Sequence, residues 1–187
     1  QGGHAVAALV FGDETPAGRL PFTWPRTAGQ VPLIYSHTTS FEPENQWRRY
    51  WDIESTPLFP FGFGLSYASF SYSPVTLSAS GVAAGESLTA SVTVTNTGGR
   101  DADEVVQLYV HQCYGTAARP VRELKGFKRV AVPAGGSVEV RFEIGPDALR
   151  YWNAVARDWV LDAAHDEVGI GGDSTVELAA SFEVTAG

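Results

Sequence analysis

The sequence predicts a mainly β protein, an antiparallel β-sandwich preceded by the remnant of an α/β sandwich domain. Three observations carry this. From Phe70 onward, short runs alternate apolar and polar residues, the period of half-buried strands. Gly, Pro, Asn and Asp separate these runs at regular spacing. Before Pro57 the chain offers one short helical run and one short extended run, too little to bury itself.

The elements follow in order. GGHAVAALVF (2–11) reads as a compact helix after a Gly-Gly turn, and Gly12 stands where a helix C-terminus needs a left-handed residue. DETPAG (13–18) is a turn, and RLPFTWP (19–25) is a short strand that Pro21 confines to an edge or a strand start. Residues 26–56 show no periodicity and hold the aromatic-basic cluster WRRYWD (47–52); so long an irregular stretch is either functional or a linker. PLFPFGFGLSY (57–67) has too much Pro and Gly for a helix and too many aromatics for a solvated linker, so it is an anchored, extended connector.

The strand-like runs are FSYSPVTLSAS (70–80), SLTASVTVTN (87–96), EVVQLYV (104–110), RELKGFKRVAV (122–132), SVEVRFEI (137–144), ALRYWN (148–153), RDWVLD (157–162), DEVGIGG (166–172) and VELAASFEV (176–184). Leu88, Ala90, Val92 and Val94 share one face, as do Val106, Leu108 and Val110, and again Val138, Val140, Phe142 and Ile144. Short strands with regular turns mark a sandwich of immunoglobulin or fibronectin type III kind. The expected divisions are an α/β remnant with a long loop (1–56), a connector (57–69) and the sandwich (70–187).

The 187 residues are 44% hydrophobic and 18% charged, ordinary globular values. A net charge of −8 with interspersed signs argues against nucleic acid or an anionic membrane as partner, since both need a basic patch. The single cysteine, Cys113, has no partner for an internal disulfide. No apolar run approaches the roughly 18 residues of a membrane helix. The opening Gln-Gly-Gly runs straight into an apolar stretch, as if the chain were cut inside a domain.

Four segments in order resemble the C-terminal part of glycoside hydrolase family 3, the β-glucosidases and β-xylosidases. GGHAVAALVFGDETPAGRLPFTWP (2–25), with its GD-x-x-P-x-GRLP core, is similar to the end of that family's α/β sandwich domain. PLFPFGFGLSYASF (57–70) resembles the family's stretch before its last domain, and VTVTNTGGRDADEVVQLYV (92–110) with RPVRELKGFKRVAV (119–132) resembles its fibronectin type III-like domain. Ala163-Ala164 stands where the family commonly has Pro-Gly, a departure that touches only a local turn. The resemblance implies a retaining hydrolase with two carboxylates. The nucleophile would be an aspartate of an N-terminal (β/α)8 barrel and the acid/base a glutamate of the α/β domain. Neither motif has a match here, so no catalytic residue is assigned and no cofactor is implied. The implied partners are the barrel and α/β domain of the same polypeptide, and an oligo- or polysaccharide substrate of the parent. The chain's role would be to scaffold the catalytic domains.

Asp13/Glu14, Asp101/Asp103/Glu104 and Asp166/Glu167 lie in or beside turns and are expected to be solvated rather than to flank a sugar. Of His4, His37, His111 and His165, only His111 lies near Cys113, and two ligands make no metal site. The acidic run DADE (101–104) suits a hairpin turn better than calcium. Trp47, Arg48, Arg49, Tyr50 and Trp51 form the substrate-proximal candidate, whose rings would stack on sugars; the competing reading is that they anchor the loop between domains. Tyr109, Tyr114, Trp152 and Trp159 offer a possible sugar platform, although core packing accounts better for the two tryptophans. A carbohydrate-binding module and an immunoglobulin-like interaction module are the alternatives to a scaffold.

Overall fold

A computed structural model describes residues 2–40 and 52–185. Helix α1 (Gly2–Phe11) comes first; among the described residues between it and the strands, the chain is irregular apart from a 3₁₀ turn at Ala28–Gln30. Eleven strands follow: β1 (Phe70–Tyr72), β2 (Thr76–Leu77), β3 (Gly81–Ala83), β4 (Leu88–Asn96), β5 (Ala102–Gln112), β6 (Glu123–Val132), β7 (Ser137–Ile144), β8 (Tyr151–Asn153), β9 (Asp158–Val160), β10 (Ala164–Gly171) and β11 (Ala180–Thr185). A one-turn helix, α2 (Pro146–Leu149), sits between β7 and β8.

The strands form the two layers of a sandwich. In the first, β4 is central, with β7 on one side and β1 and β2 on the other. The second runs β3-β11-β10-β5-β6. Between them lie the alternating residues the sequence nominates: Leu88, Ala90, Val92 and Val94 of β4 and Val140, Phe142 and Ile144 of β7. Opposite them are Val106, Leu108 and Val110 of β5, Val168 and Ile170 of β10, and Phe182 and Val184 of β11. Each such Val, Leu, Ile or Phe side chain, taken out of water, contributes about 1.5–3 kcal/mol.

The two layers differ on their outer faces. β4 and β7 carry Thr, Glu and Arg outward, the pattern of a sheet with one wet side. β5 is buried on both faces in its middle: Gln107 and Tyr109 point away from the core and are nonetheless covered. What covers them is the chain before the sandwich.

Three expectations require correction. The run 70–80 is not one strand. It breaks at Pro74 into β1 and β2 of the first sheet, and the chain then crosses so that β3 pairs parallel with β11 in the second. The runs at 148–153 and 157–162 join neither sheet but form a two-stranded ribbon, β8–β9. The run 19–25 is not a regular strand. It lies antiparallel to residues 58–63 through Leu20 N–H to Phe63 O (2.8 Å), Gly62 N–H to Leu20 O (2.9 Å) and Trp24 N–H to Phe59 O (2.8 Å). Pro21 and Pro25 lack the N–H groups a continuous ladder needs.

Candidate functional site

The N-terminal segment has two chemically different sides. One is fastened to the outer face of β5. Tyr35 stacks on Phe61 at 4.2 Å and meets Tyr109 edge-on at 6.0 Å. The Tyr35 hydroxyl accepts the Leu124 N–H (3.2 Å), and the Ser174 N–H donates to Phe61 O (2.9 Å). The Gln107 side-chain amide donates to Gly62 O and to Gly172 O, while its oxygen accepts the Tyr109 hydroxyl. Gly62 is required here: its φ is +81°, and a Cβ at this position would collide with the Gln107 side chain. Burial, followed by the Tyr35 and Asp173 charges, pushes the Tyr109 phenol well above its ordinary range, with Arg122 opposing.

The same side carries a charged clamp. Arg19, from the GRLP stretch, forms an ion pair with Glu104 of β5, and the Tyr72 hydroxyl donates to the other oxygen of that carboxylate at 2.6 Å. The side chains of Arg19 and Glu104 are only 12% and 3% exposed, so this is not a screened surface pair. The expectation that Glu104 sits solvated beside a turn is therefore wrong: β5 begins at Ala102 and carries Glu104 inside. The Tyr72 phenol is raised far above its usual range, first by burial and then by Glu104.

The other side is apolar and uncovered. Phe22 stacks on Trp24 at 5.4 Å and Phe59 on Phe63 at 4.8 Å. Trp24, Phe59, Phe63 and Leu65 border a groove of about 390 Å³. Leu65 is 72% exposed. Beside it, α1 buries none of its residues and presents Val6, Val10 and Phe11 to solvent. Polar contacts hold its C-terminal end: the Tyr67 hydroxyl donates to Leu9 O (2.6 Å) and Arg100 donates to Gly12 O (2.6 Å). Leu20, whose backbone pairs with the connector, is half-buried.

The candidate residues Trp47, Arg48, Arg49, Tyr50 and Trp51 lie outside the described residues. The chain on both sides of them is held. Before them, the Val121 N–H donates to His37 O (2.8 Å) and Thr38 bridges to Pro120. After them, Glu54 pairs with Arg26 (3.2 Å) and its carbonyl accepts from Gln30 (2.8 Å). A cavity of about 400 Å³, bordered by Ile34, Tyr35, His37, Thr56 and Arg122, opens between these two stems.

The remaining candidates separate as follows. Asp101 accepts the Ala134 N–H (2.8 Å) and Asp103 pairs with Arg129 (2.7 Å), both at the rim of the sandwich. Asp166 and Glu167 point to opposite faces of β10; Asp166 is buried rather than solvated, because even-numbered β10 residues face the core side. Burial raises its carboxyl to about 6, with Arg119 and His165 opposing. Asp162, which stood out in no motif, is a structural node. Desolvation pushes its carboxyl up, but hydrogen bonds from the Thr116 N–H, the Tyr151 hydroxyl, the Thr116 hydroxyl and Gln112 outweigh this and leave it low.

Trp152 and Trp159 are not core residues. They lie edge to face at 6.0 Å on the β8–β9 ribbon, each more than half exposed, with Arg150 over the Trp159 ring. Tyr109 is the reverse case, fully buried where an exposed ring was one reading.

The fold and its two-sided preface match known proteins. Residues 1–67 match the family model of the glycosyl hydrolase family 3 C-terminal domain, and residues 104–174 that of the fibronectin type III-like domain. The chain belongs to glycoside hydrolase family 3, of which it is a C-terminal part. Among its relatives, a periplasmic β-glucosidase of Salmonella typhimurium is 40% identical over 190 residues, covering 98% of this chain and 25% of the relative. A β-xylosidase of Formosa agariphila is 39% identical over 183 residues, again covering 98% of this chain and 25% of the relative. The structure of a β-glucosidase from Erythrobacter marinus superposes with a TM-score of 0.90 at 36% identity, over 99% of this chain and 24% of that one. The chain thus spans about a quarter of the length of the relatives it matches.

Proposed function

We propose that this chain is the non-catalytic C-terminal portion of a retaining β-glycosidase acting on β-glucosides or β-xylosides, and that it scaffolds the catalytic domains. The observation that carries this is the two-sided preface. One side is locked to the sandwich by stacked aromatics and the Arg19–Glu104 pair, and the other exposes the apolar side chains of Phe22, Trp24, Leu65, Val10 and Phe11. A surface of that kind has an occupant. In a protein about four times this length, the natural occupant is the rest of the α/β domain, with the barrel beyond it. On this reading residues 1–56 complete the α/β domain, 57–69 connect, and 70–187 brace. Asp13, Glu14, Asp101 and Asp103 border one pocket at the sandwich rim, where Asp101 is engaged by the Ala134 N–H and Asp103 by Arg129, so hydrolysis is assigned to upstream residues.

The test is complementation. The upstream polypeptide, expressed separately, is mixed with this chain and hydrolysis of aryl β-glucosides and β-xylosides is followed. The expected result is a stable complex with restored activity, abolished by Trp24→Asp with Phe22→Asp. An upstream piece that is fully active and stable alone, and ignores this chain, refutes the scaffold role. Retention of the isolated chain on insoluble glucan or xylan, lost with Trp152→Ala and Trp159→Ala, would favour a carbohydrate-binding module.

A further inference from the structure

We infer that His111, Cys113 and Glu167 form a binding site for a borderline-soft divalent cation of the zinc type on the outer face of the second sheet. The register places the residues. β5 and β10 are antiparallel neighbours with Glu167 directly opposite His111. Cys113 follows two residues along and stays in register, its N–H donating to His165 O at 2.9 Å. Side chains at i and i+2 share a face, as do directly opposed residues, so all three project together. One ligand atom from each lies within 4.8 Å of the other two. Metal–ligand bonds of about 2.0–2.3 Å place tetrahedral ligands roughly 3.3–3.8 Å apart, so side-chain rotation closes the site without moving the strands.

The chemistry of each group agrees. The Nδ1 of His111 lies 2.8 Å from Pro120 O. A carbonyl only accepts, so Nδ1 carries the proton and Nε2 keeps its lone pair. Metal-ligating histidines are oriented by this kind of bond to the second nitrogen. Among the described residues, the Glu167 carboxylate has no ion pair or hydrogen bond to a side chain. Cys113 is exposed, which gives an ion access. His165 also lies opposite Cys113, but its Nδ1 is engaged with Glu183 at 2.7 Å. A thiolate, an imidazole and a carboxylate select zinc-type ions over calcium or magnesium, with water completing the coordination. The ion would join β5 to β10 beside Pro120, where residues 37 and 38 meet the sandwich. From sequence alone, His111 and Cys113 are two ligands and no site; the register supplies the third.

The experiment is a Co²⁺ titration of the full 187-residue chain under reducing conditions, read by absorption. The expected result is one equivalent bound with a thiolate-to-Co²⁺ charge-transfer band and tetrahedral visible bands, both removed by Zn²⁺. Cys113→Ser should abolish the charge-transfer band. Glu167→Gln, and His111→Asn, which keeps a donor for Pro120 O, should each weaken binding at least about tenfold, since even residues that only orient a ligand are worth that much. Should His111→Asn fail to fold, Glu167→Gln carries the decision alone. Absence of the charge-transfer band, non-stoichiometric binding, or an affinity unchanged in Glu167→Gln overturns the site, the last by showing a bare thiol to be the only ligand.

Discussion

Replacing Arg19 by Met should loosen the N-terminal segment from the sandwich by about 3–5 kcal/mol, the cost of leaving one partner of a buried ion pair behind. The size follows from the burial of Glu104, whose side chain is 3% exposed and would keep only the Tyr72 hydroxyl as a partner. A rim pair would be worth about 0–1 kcal/mol. The loss has a ceiling. Once it exceeds the energy holding residues 18–24 in place, that stretch lifts off and water solvates Glu104. The assay is therefore trypsin cleavage at Arg26, which tracks the opened population when opening is fast relative to cleavage. The Met variant should be cut roughly 10²- to 4 × 10³-fold faster, at 1.4 kcal/mol per tenfold. Adding Glu104→Gln removes the stranded charge while leaving an acceptor for Tyr72, and should recover most of the loss. Acceleration below about fivefold, or a double variant no better than the single one, would refute the clamp, because coupled buried charges cannot be additive.

Asp166→Asn should stabilise the protein at neutral pH and much less at pH 4. A carboxyl raised from 3.8 to about 6 keeps in the folded state a proton that the unfolded chain has lost, so wild-type stability falls as pH rises between those values and levels off above. The gain in the Asn variant, read by urea unfolding at several pH values, should grow to about 3 kcal/mol by pH 7 and stay flat thereafter. Gly62→Ala should destabilise the connector by more than about 1 kcal/mol, since φ is +81° and the new methyl meets Gln107; differential scanning calorimetry shows this as a lower Tm. Phe22→Ser with Trp24→Ser should reduce self-association of the isolated chain in sedimentation velocity while leaving the unfolding of the sandwich unchanged, because both rings are about half exposed.

Alternation alone determined the core of this protein. Leu88 to Val94, Val106 to Val110 and Val140 to Ile144 are buried where a period of two places them, because a strand has only two faces and one of them must leave water. The helix at 2–11, its end at Gly12 and the anchored nature of 57–67 were legible for equally local reasons, an apolar run, a left-handed residue and a density of aromatics. The tertiary structure decided everything that depends on which segments become neighbours. It buried Glu104 and Tyr109 because the N-terminal segment lies over β5, and it exposed Trp152 and Trp159 because their strands pair with each other rather than with a sheet. It set Glu167 opposite His111 because strands 56 residues apart in sequence came into register. Burial by a distant segment, and cross-strand pairing, are non-local, so no pattern within either strand records them.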